Sequence, residues 1–134
     1  MKSTPAIQAK FQRSSIVSKN TKLWDGVNEH DKTSILSNIN LNKNESIAIY
    51  FFLDNNYWWL ITNERLIIKN FLNLNYIQYS DIDKIGLDSL FYGNEEKTEL
   101  KSINLNIRNG KTITLKLEGG TWPIIYEIIK FVIS

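Results

Sequence analysis

The residues that could do chemistry in this chain are few. His30 is the single histidine of the 134 residues, and there is no cysteine, so a histidine-based metal site would need carboxylates from elsewhere in the chain. Asp81 and Asp83 have the i,i+2 spacing that can place two carboxylates on one face of a strand, as acid/base sites require. The same spacing suits a solvent-facing strand entry, and His30 between two acidic neighbours suits a wet helix.

Three other features also have an ordinary structural explanation. Glu95, Glu96 and Glu99 form a charged cluster typical of a solvated loop. Gly119-Gly120 is not followed by the Lys-Ser/Thr pair of a phosphate-binding loop, and no serine lies in a nucleophile-elbow pattern. We therefore predict that the protein is not an enzyme and uses no metal, no cofactor and no small-molecule substrate.

Charge is distributed unevenly along the chain. Residues 1–24 carry five basic residues and no acid, whereas the remainder carries 11 basic and 14 acidic residues. This division predicts a basic N-terminal arm (1–24) on a single acidic domain (25–134). Such an arm can contact an anionic partner, stay solvated or dock on its own domain. The candidate contacts to an anionic partner are Lys10, Arg13, Lys19 and Lys22.

The sequence gives no sign of a membrane-spanning or secreted segment. No apolar run approaches the roughly 20 residues that cross a bilayer, and the first 15 residues lack the apolar core of a signal peptide. A basic, acid-free start also occurs in organelle transit peptides, but Ile7 and Phe11 give only a short amphipathic pattern. We expect a cytoplasmic protein.

Two helices are predicted from apolar spacing and caps. The first is a short helix over 25–40, with Asp25 as its cap. The second follows Thr121 as N-cap, with Pro123 tolerated in the first turn. Its wide apolar stripe requires burial against a sheet. The stripe consists of Ile124, Ile125, Ile128, Ile129, Val132 and Ile133.

Between these helices, apolar runs alternate with turn residues in the manner of antiparallel strands. The last two predicted strands have one apolar and one polar face, and Asn109-Gly110 between them predicts a two-residue type I′ turn. The region 91–100 is predicted as a charged loop. The predicted strands cover 45–53, 57–61, 65–70, 76–79, 82–90, 101–108 and 111–117.

These elements predict an α+β, mainly β, fold. It consists of a bent seven-stranded antiparallel barrel or sandwich that is capped by a C-terminal α-helix, with a short helix before the first strand.

This order resembles the pleckstrin-homology-like superfold, and in particular the bacterial PH-domain families. Their Thr-Asn-x-Arg-like turn between two apolar strands is matched in WWLITNERLII by Thr62, Asn63 and Arg65, and YSDIDKIGL resembles their entry into the next strand. The resemblance covers roughly 31–134. It implies a binding module for lipid, phosphopeptide or protein, although a fold alone does not define a function. Phosphoinositide-binding members carry basic residues in the first hairpin loop, but the loop here, 53–57, has one acid and no base.

Trp58 and Trp59 are adjacent in a strand, so their side chains must point to opposite faces of the sheet. The preceding strand is apolar on both faces as well, unlike a sheet with one wet face. Something must therefore cover the outer face of the first three strands: the chain's own N-terminal region, a partner chain, or a hydrophobic ligand or lipid. The residues predicted on this outer face are Tyr50, Phe52, Trp58 and Leu60.

We expect a non-catalytic module that binds another protein, or a second copy of itself, through this aromatic face. An inhibitor of another protein would show the same pattern. The alternative is peripheral binding to anionic membrane lipid through the basic arm. Nucleic-acid binding is less favoured, because the sheet region has no basic stripe beside its aromatic residues.

Overall fold

The computed structural model describes residues 1–87 and 102–134. The predicted loop at 91–100 and the end of the strand predicted at 82–90 lie outside these ranges. The helices and strands follow in chain order as α1 (Thr4–Arg13), β1 (Thr21–Leu23), α2 (Glu29–Leu36), β2 (Ile47–Asp54), β3 (Tyr57–Thr62), β4 (Arg65–Asn70), β5 (Asn73–Gln78), β6 (Ile82–Leu87), β7 (Ser102–Ile107), β8 (Thr112–Lys116) and α3 (Trp122–Ile133).

The strands form two antiparallel sheets, one of five strands in the order β1-β2-β3-β4-β5 and one of three strands in the order β6-β7-β8. The predicted α+β, mainly β, class with a C-terminal helix is confirmed. Over the described residues, however, the strands do not close into one barrel, and they number eight instead of the predicted seven. The additional strand is β1, which the sequence analysis placed in the N-terminal arm.

The main core is shared by both sheets and by α1 and α3. The apolar stripe of α3 is buried as predicted, with Ile125 and Ile128 fully enclosed. Thr121 holds the N-cap position, but its hydroxyl donates back to the Glu118 carbonyl at 2.7 Å and caps no helix N–H. Burial of the stripe, more than capping, therefore stabilises α3 in place.

Residues 1–24, predicted as an arm, form α1 and β1. Ser3 caps α1 by accepting from the Ala6 N–H, and Ile7 and Phe11 are buried in the main core. β1 pairs with β2 at the edge of the five-stranded sheet, in a register that places Thr21 opposite Phe51. The i,i+4 spacing of Ile7 and Phe11 was therefore the sequence signal of a packed helix.

The helix predicted over 25–40 is shorter than expected. A 3-10 turn occupies Trp24–Gly26, and α2 begins only after Asn28. The Asn28 side chain accepts from the Asp31 N–H at 2.8 Å, so Asn28 is the cap and Asp25 is not. Asparagine and aspartate cap equally well, and composition alone did not separate the two positions.

The facing of side chains changes at the start of β2. A register irregularity lies between Ile47 and Ile49, so Ile47 joins the outer face with Tyr50, and Ala48 lies in the main core. A bulge adds a residue to one strand and reverses the facing of the residues before it. Simple period-two counting does not detect such an insertion.

The turn at Asn109-Gly110 is also not type I′. Gly110 has a φ of +93°, but Asn109 does not have a positive φ. The Gly110 N–H donates to the Ile107 carbonyl at 2.9 Å, and the Ile107 N–H donates to Lys111 at 2.8 Å. This pattern is that of a longer hairpin loop, in which a type I turn is followed by one left-handed glycine. The predicted alternation of the flanking strands is confirmed, with Ile103, Leu105 and Leu115 buried.

A buried ion pair connects the segment after α2 to the turn between β3 and β4. Arg65 binds both carboxylate oxygens of Glu45, each at 2.9 Å, and the Thr62 hydroxyl donates to the same carboxylate at 2.6 Å. The Glu45 side chain has no exposed surface. Burial by itself raises the pKa of Glu45, but the hydrogen bonds from Arg65 and Thr62 outweigh it and hold the pKa below its ordinary value. We call these three residues the latch.

Neighbouring groups extend the latch. Arg65 also donates to the Asn40 carbonyl at 2.5 Å, and its guanidinium lies 4.3 Å from the centre of the Tyr76 ring. Asn63 accepts from the Ser46 N–H at 2.9 Å and donates to the Asn44 carbonyl at 3.1 Å. The Thr-Asn-x-Arg turn noted in the sequence thus fixes residues 40–46, and through them the end of α2.

Removing the latch carboxylate should strongly destabilise the fold. We expect Glu45→Ala to lower the free energy of unfolding by about 3 kcal/mol, because it leaves Arg65 buried without a counter-charge. Chemical denaturation monitored by circular dichroism measures this loss. Glu127→Ala, on the exposed side of α3, is the matched control and should change the free energy by less than about 0.5 kcal/mol. Equal effects of the two variants would contradict the role of the latch.

The latch should also make stability depend on pH. Because the folded state lowers the pKa of Glu45, its contribution is complete above the ordinary value of 4.5 and is lost as the pH falls through the lowered pKa. The stability difference between wild type and Glu45→Gln should therefore be largest at neutral pH and should shrink below pH 4.5. Denaturation curves at several pH values test this, with Glu127→Gln as the control that should show no such convergence.

Candidate binding surfaces

The paired tryptophans lie in two different clusters. Trp59 is fully buried in the main core, where its indole N–H donates to the Lys116 carbonyl at 2.8 Å and its ring lies 5.4 Å from that of Phe51. Trp58 points to the opposite face of the sheet. Opposite it in β2 lies Phe52, and the next pair on that face is Leu60 with Tyr50. The structure therefore places all four predicted outer-face residues together.

That outer face is covered by the chain itself. Val27, Ile35 and Ile39, from α2 and its flanks, pack on it to form a second cluster. Trp24 adds an edge-to-face contact with Tyr50 at 6.1 Å between ring centres. Tyr50, Trp58 and Leu60 are consequently buried. Of the three possible covers, the N-terminal region is the one that the structure shows.

The cover is incomplete at Phe52, which stays half-buried. Beside it lies an open groove of about 270 Å³ between α2 and the sheet, with His30, Asp31 and Asn38 on the helix side and Phe52, Asn55 and Lys69 on the sheet side. A smaller space of about 70 Å³ continues from it along Phe52 to β1. We call the two together the α2 groove.

Two of the predicted anionic-partner contacts reach this groove. Lys19 and Lys22 line its smaller part. Lys10 lies elsewhere, with its ammonium 4.8 Å from the centre of the Phe131 ring, and Arg13 lies in the last turn of α1. The structure thus brings half of the predicted basic contacts to the aromatic face and separates the other half from it.

Tyr50 lies at the boundary between the cover and the groove. Burial raises the pKa of its hydroxyl, and the negative charge of Asp31 adds to the effect. The hydroxyl therefore stays protonated at physiological pH and can donate a hydrogen bond. Asp31 is itself engaged, because its carboxylate accepts from the Asn28 side-chain amide at 3.0 Å.

A second surface lies at one end of the five-stranded sheet. The turn between β2 and β3 and the turn between β4 and β5 lie side by side, joined by a bond of 2.6 Å from the Phe71 N–H to the Asn56 carbonyl. Leu72 is 100% exposed, Phe71 63% and Leu53 47%. We call these three residues the apolar tip. Val17 is also exposed. It lies in the loop that ends at Asn20, whose carbonyl accepts a hydrogen bond from the Phe52 N–H.

The turn that carries Phe71 has a strained backbone conformation. Phe71 has a φ of +57°, a conformation that is unfavourable for a bulky side chain. It is the first central residue of the two-residue turn between Asn70 and Asn73. Strained residues of this kind cluster at functional positions. This turn was not predicted, although two apolar residues between Asn70 and Asn73 are its visible signal in the sequence.

Three lysines lie toward the same end of the sheet as the apolar tip. Lys69 lies just before the β4–β5 turn, and Lys19 precedes β1 at the same end of the sheet. The Lys116 ammonium lies 5.0 Å from the ring of Tyr57, which begins β3.

Two carboxylates at this end of the sheet bind backbone groups of the protein. Asp54 accepts from the Asn56 N–H, and Glu118 accepts from the N–H groups of residues 19 and 20.

The residues considered for catalysis do not converge. The Asp83 carboxylate pairs with the Arg108 guanidinium at 3.4 Å. Asp81 lies in a 3-10 turn, and its backbone carbonyl accepts from the Arg108 N–H. His30 lies at the groove rim on α2. Within 1–87 and 102–134, no three acidic or histidine side chains come together as a metal site would need. The glutamates at 95, 96 and 99 are outside these ranges.

Comparison with known proteins adds no family to this description: no protein-family model matches the chain, and no curated protein is detectably similar to it in sequence. In the described part of the chain, no helix combines the length and the apolar character that crossing a bilayer requires. The two surfaces defined above are therefore the basis for inferring function.

The strain at Phe71 should be measurable. We expect Phe71→Asn to raise the free energy of unfolding by up to about 1 kcal/mol, because asparagine tolerates a positive φ and no buried contact is lost. Leu72→Asn is the matched control, since Leu72 is exposed without a positive φ, and should leave stability unchanged. Thermal and chemical unfolding compare the two. A loss of stability in Phe71→Asn would show that the ring has a structural role.

Proposed function

We propose that this protein is a non-catalytic binding module that attaches to anionic membrane surfaces through its apolar tip. The observation that carries the proposal is the grouping of exposed Leu53, Phe71 and Leu72 at one end of the sheet, with lysines toward the same end. Apolar side chains can enter the lipid boundary while the lysines meet anionic headgroups. The backbone strain at Phe71 lowers the stability of the fold. That such a conformation is kept supports a binding role for this surface.

The expected energies are sufficient for reversible binding. Full burial of a leucine or phenylalanine side chain contributes about 1.5 to 3 kcal/mol. Each lysine near an anionic surface contributes about 1 kcal/mol. Asp54 and Glu118 accept hydrogen bonds from nearby backbone N–H groups, which hold both carboxylates against the protein. Binding of this kind weakens with added salt, since screening reduces the lysine contribution.

The aromatic face supports direct protein binding less well than its sequence suggested. Tyr50, Trp58 and Leu60 are already covered by α2 and its flanks. A partner that used them would have to displace that cover. Self-association through this face would meet the same obstacle, and only the surface around Phe52 is open.

We further propose that the fold belongs to the pleckstrin-homology-like superfold. Two antiparallel sheets with an apolar C-terminal helix against their shared core support this assignment. The Thr-Asn-x-Arg turn, in which Thr62 and Arg65 are buried, supports it as well. The five-plus-three division of the strands is the feature that departs from a single bent barrel.

Vesicle co-sedimentation tests the membrane proposal. Wild-type protein should sediment with vesicles of phosphatidylserine and phosphatidylcholine, less with vesicles of phosphatidylcholine alone, and less again at high salt. The double variant Phe71→Ser/Leu72→Ser should partition at least tenfold more weakly, because it removes the two most exposed apolar side chains of the tip. Circular dichroism should show that it remains folded, since both side chains are exposed.

Leu36→Ser is the matched control. Leu36 is an exposed leucine on α2 whose surroundings include Ser46 and Ile47, at the opposite end of β2. This control should bind vesicles as wild type does. Absence of wild-type binding at low salt, or equal binding by the tip variant, would overturn the proposal.

A further inference from the structure

We propose that the α2 groove binds an acidic peptide segment of another protein, with one bulky apolar side chain of that segment packed on Phe52. This inference goes beyond membrane attachment, because it concerns a different class of partner and a groove that shares only Lys19 and Lys69 with the surroundings of the apolar tip. It rests on the shape, the charge and the hydrogen-bonding groups of the groove.

The shape of the groove favours a chain over a compact ligand. Its two parts share Asp31, Tyr50 and Phe52, so they lie next to each other on either side of these residues. The larger part, of about 270 Å³, is open to solvent along one side and does not enclose a ligand as a small-molecule pocket does. An extended peptide that places one side chain in the larger part matches these dimensions.

Phe52 supplies the apolar contact. Its ring is half-buried and lies 6.0 Å from that of Tyr50, with Trp58 opposite it in β3. The three rings are held by the sheet and the α2 cover, so they form a rigid apolar surface. Rigid aromatic residues of this kind act as anchors in protein interfaces, because little conformational entropy is lost on binding.

The charge of the groove selects an acidic segment. Lys19 and Lys22 line the part next to β1, and Lys69 lines the other part. Among the described residues that line the groove, Asp31 is the one carboxylate, and the Asn28 amide donates a hydrogen bond to it. Acidic side chains on either side of the apolar anchor would therefore meet lysines at both ends of the groove.

Hydrogen-bonding groups complete the recognition of a peptide. The Tyr50 hydroxyl stays protonated as a donor, and the exposed side chains of His30 and Asn55 lie along the rim. Such groups can bond to the carbonyl and N–H groups of an extended backbone. The groove thus offers an apolar anchor point, flanking cations and backbone partners together.

Selection from a phage-displayed library of random dodecapeptides on immobilised full-length protein tests the inference. We expect enrichment of sequences in which aspartate or glutamate flanks a leucine or an aromatic residue. A synthetic peptide of that consensus should bind Lys22→Glu/Lys69→Glu and Phe52→Ala at least tenfold more weakly than wild type in fluorescence anisotropy. A library with no enrichment, or a consensus without acidic residues, would overturn the inference.

Two controls separate this proposal from the others. Lys130→Glu, an exposed lysine on α3, should bind the peptide as wild type does, which excludes a general effect of net charge. Phe71→Ser/Leu72→Ser should also retain peptide binding, so failure of the membrane proposal leaves the peptide result interpretable. Loss of peptide binding in either control would place the site elsewhere and contradict the inference. Circular dichroism of each variant verifies that the fold is intact.

Discussion

The buried pair of Glu45 and Arg65 is the interaction on which the outer layer of this protein depends. It joins two segments that are distant in sequence, the chain after α2 and the turn between β3 and β4. A buried ion pair is not a large source of net stability, because both charges lose their hydration. Its contacts define where residues 40–46 lie, because Arg65 binds both the Glu45 carboxylate and the Asn40 carbonyl. That position keeps α2 on the aromatic face.

The consequence is a protein with two apolar clusters on either side of one sheet. The main core involves both sheets, α1 and α3, whereas the outer cluster lies between the five-stranded sheet and the α2 region. This arrangement explains why β2 and β3 are apolar on both faces, a pattern otherwise typical of parallel sheets. The α2 groove exists because the cover ends before Phe52. The apolar tip is exposed because the helices do not cover that end of the sheet.

Most elements were predictable from local pattern. The strand from 65 to 70, the facing of β7 and β8 and the buried stripe of α3 follow from periodicity. Parity places Trp58 and Trp59 on opposite faces, but only the register of β2 with β3 shows that Trp58 shares the face of Tyr50. Three local features were not predictable, because each depends on which hydrogen bonds the rest of the fold leaves available. They are the bulge at Ile47, the cap at Asn28 and the loop at Gly110. Glu45 could not be recognised as the partner of Arg65, since 20 residues separate them. The groove could not be predicted either, because Lys69 and Lys22 come together only through the order of the strands in the sheet.

Trp58 and Trp59 are neighbours in the chain, yet they belong to layers of very different size. The layer over Trp58 is one short helix with its flanking segments, whereas Trp59 is bonded to Lys116 inside the main core. The two adjacent indoles therefore lie in separate layers, and a change that is confined to the cover alters the surroundings of Trp58 while those of Trp59 stay as they are.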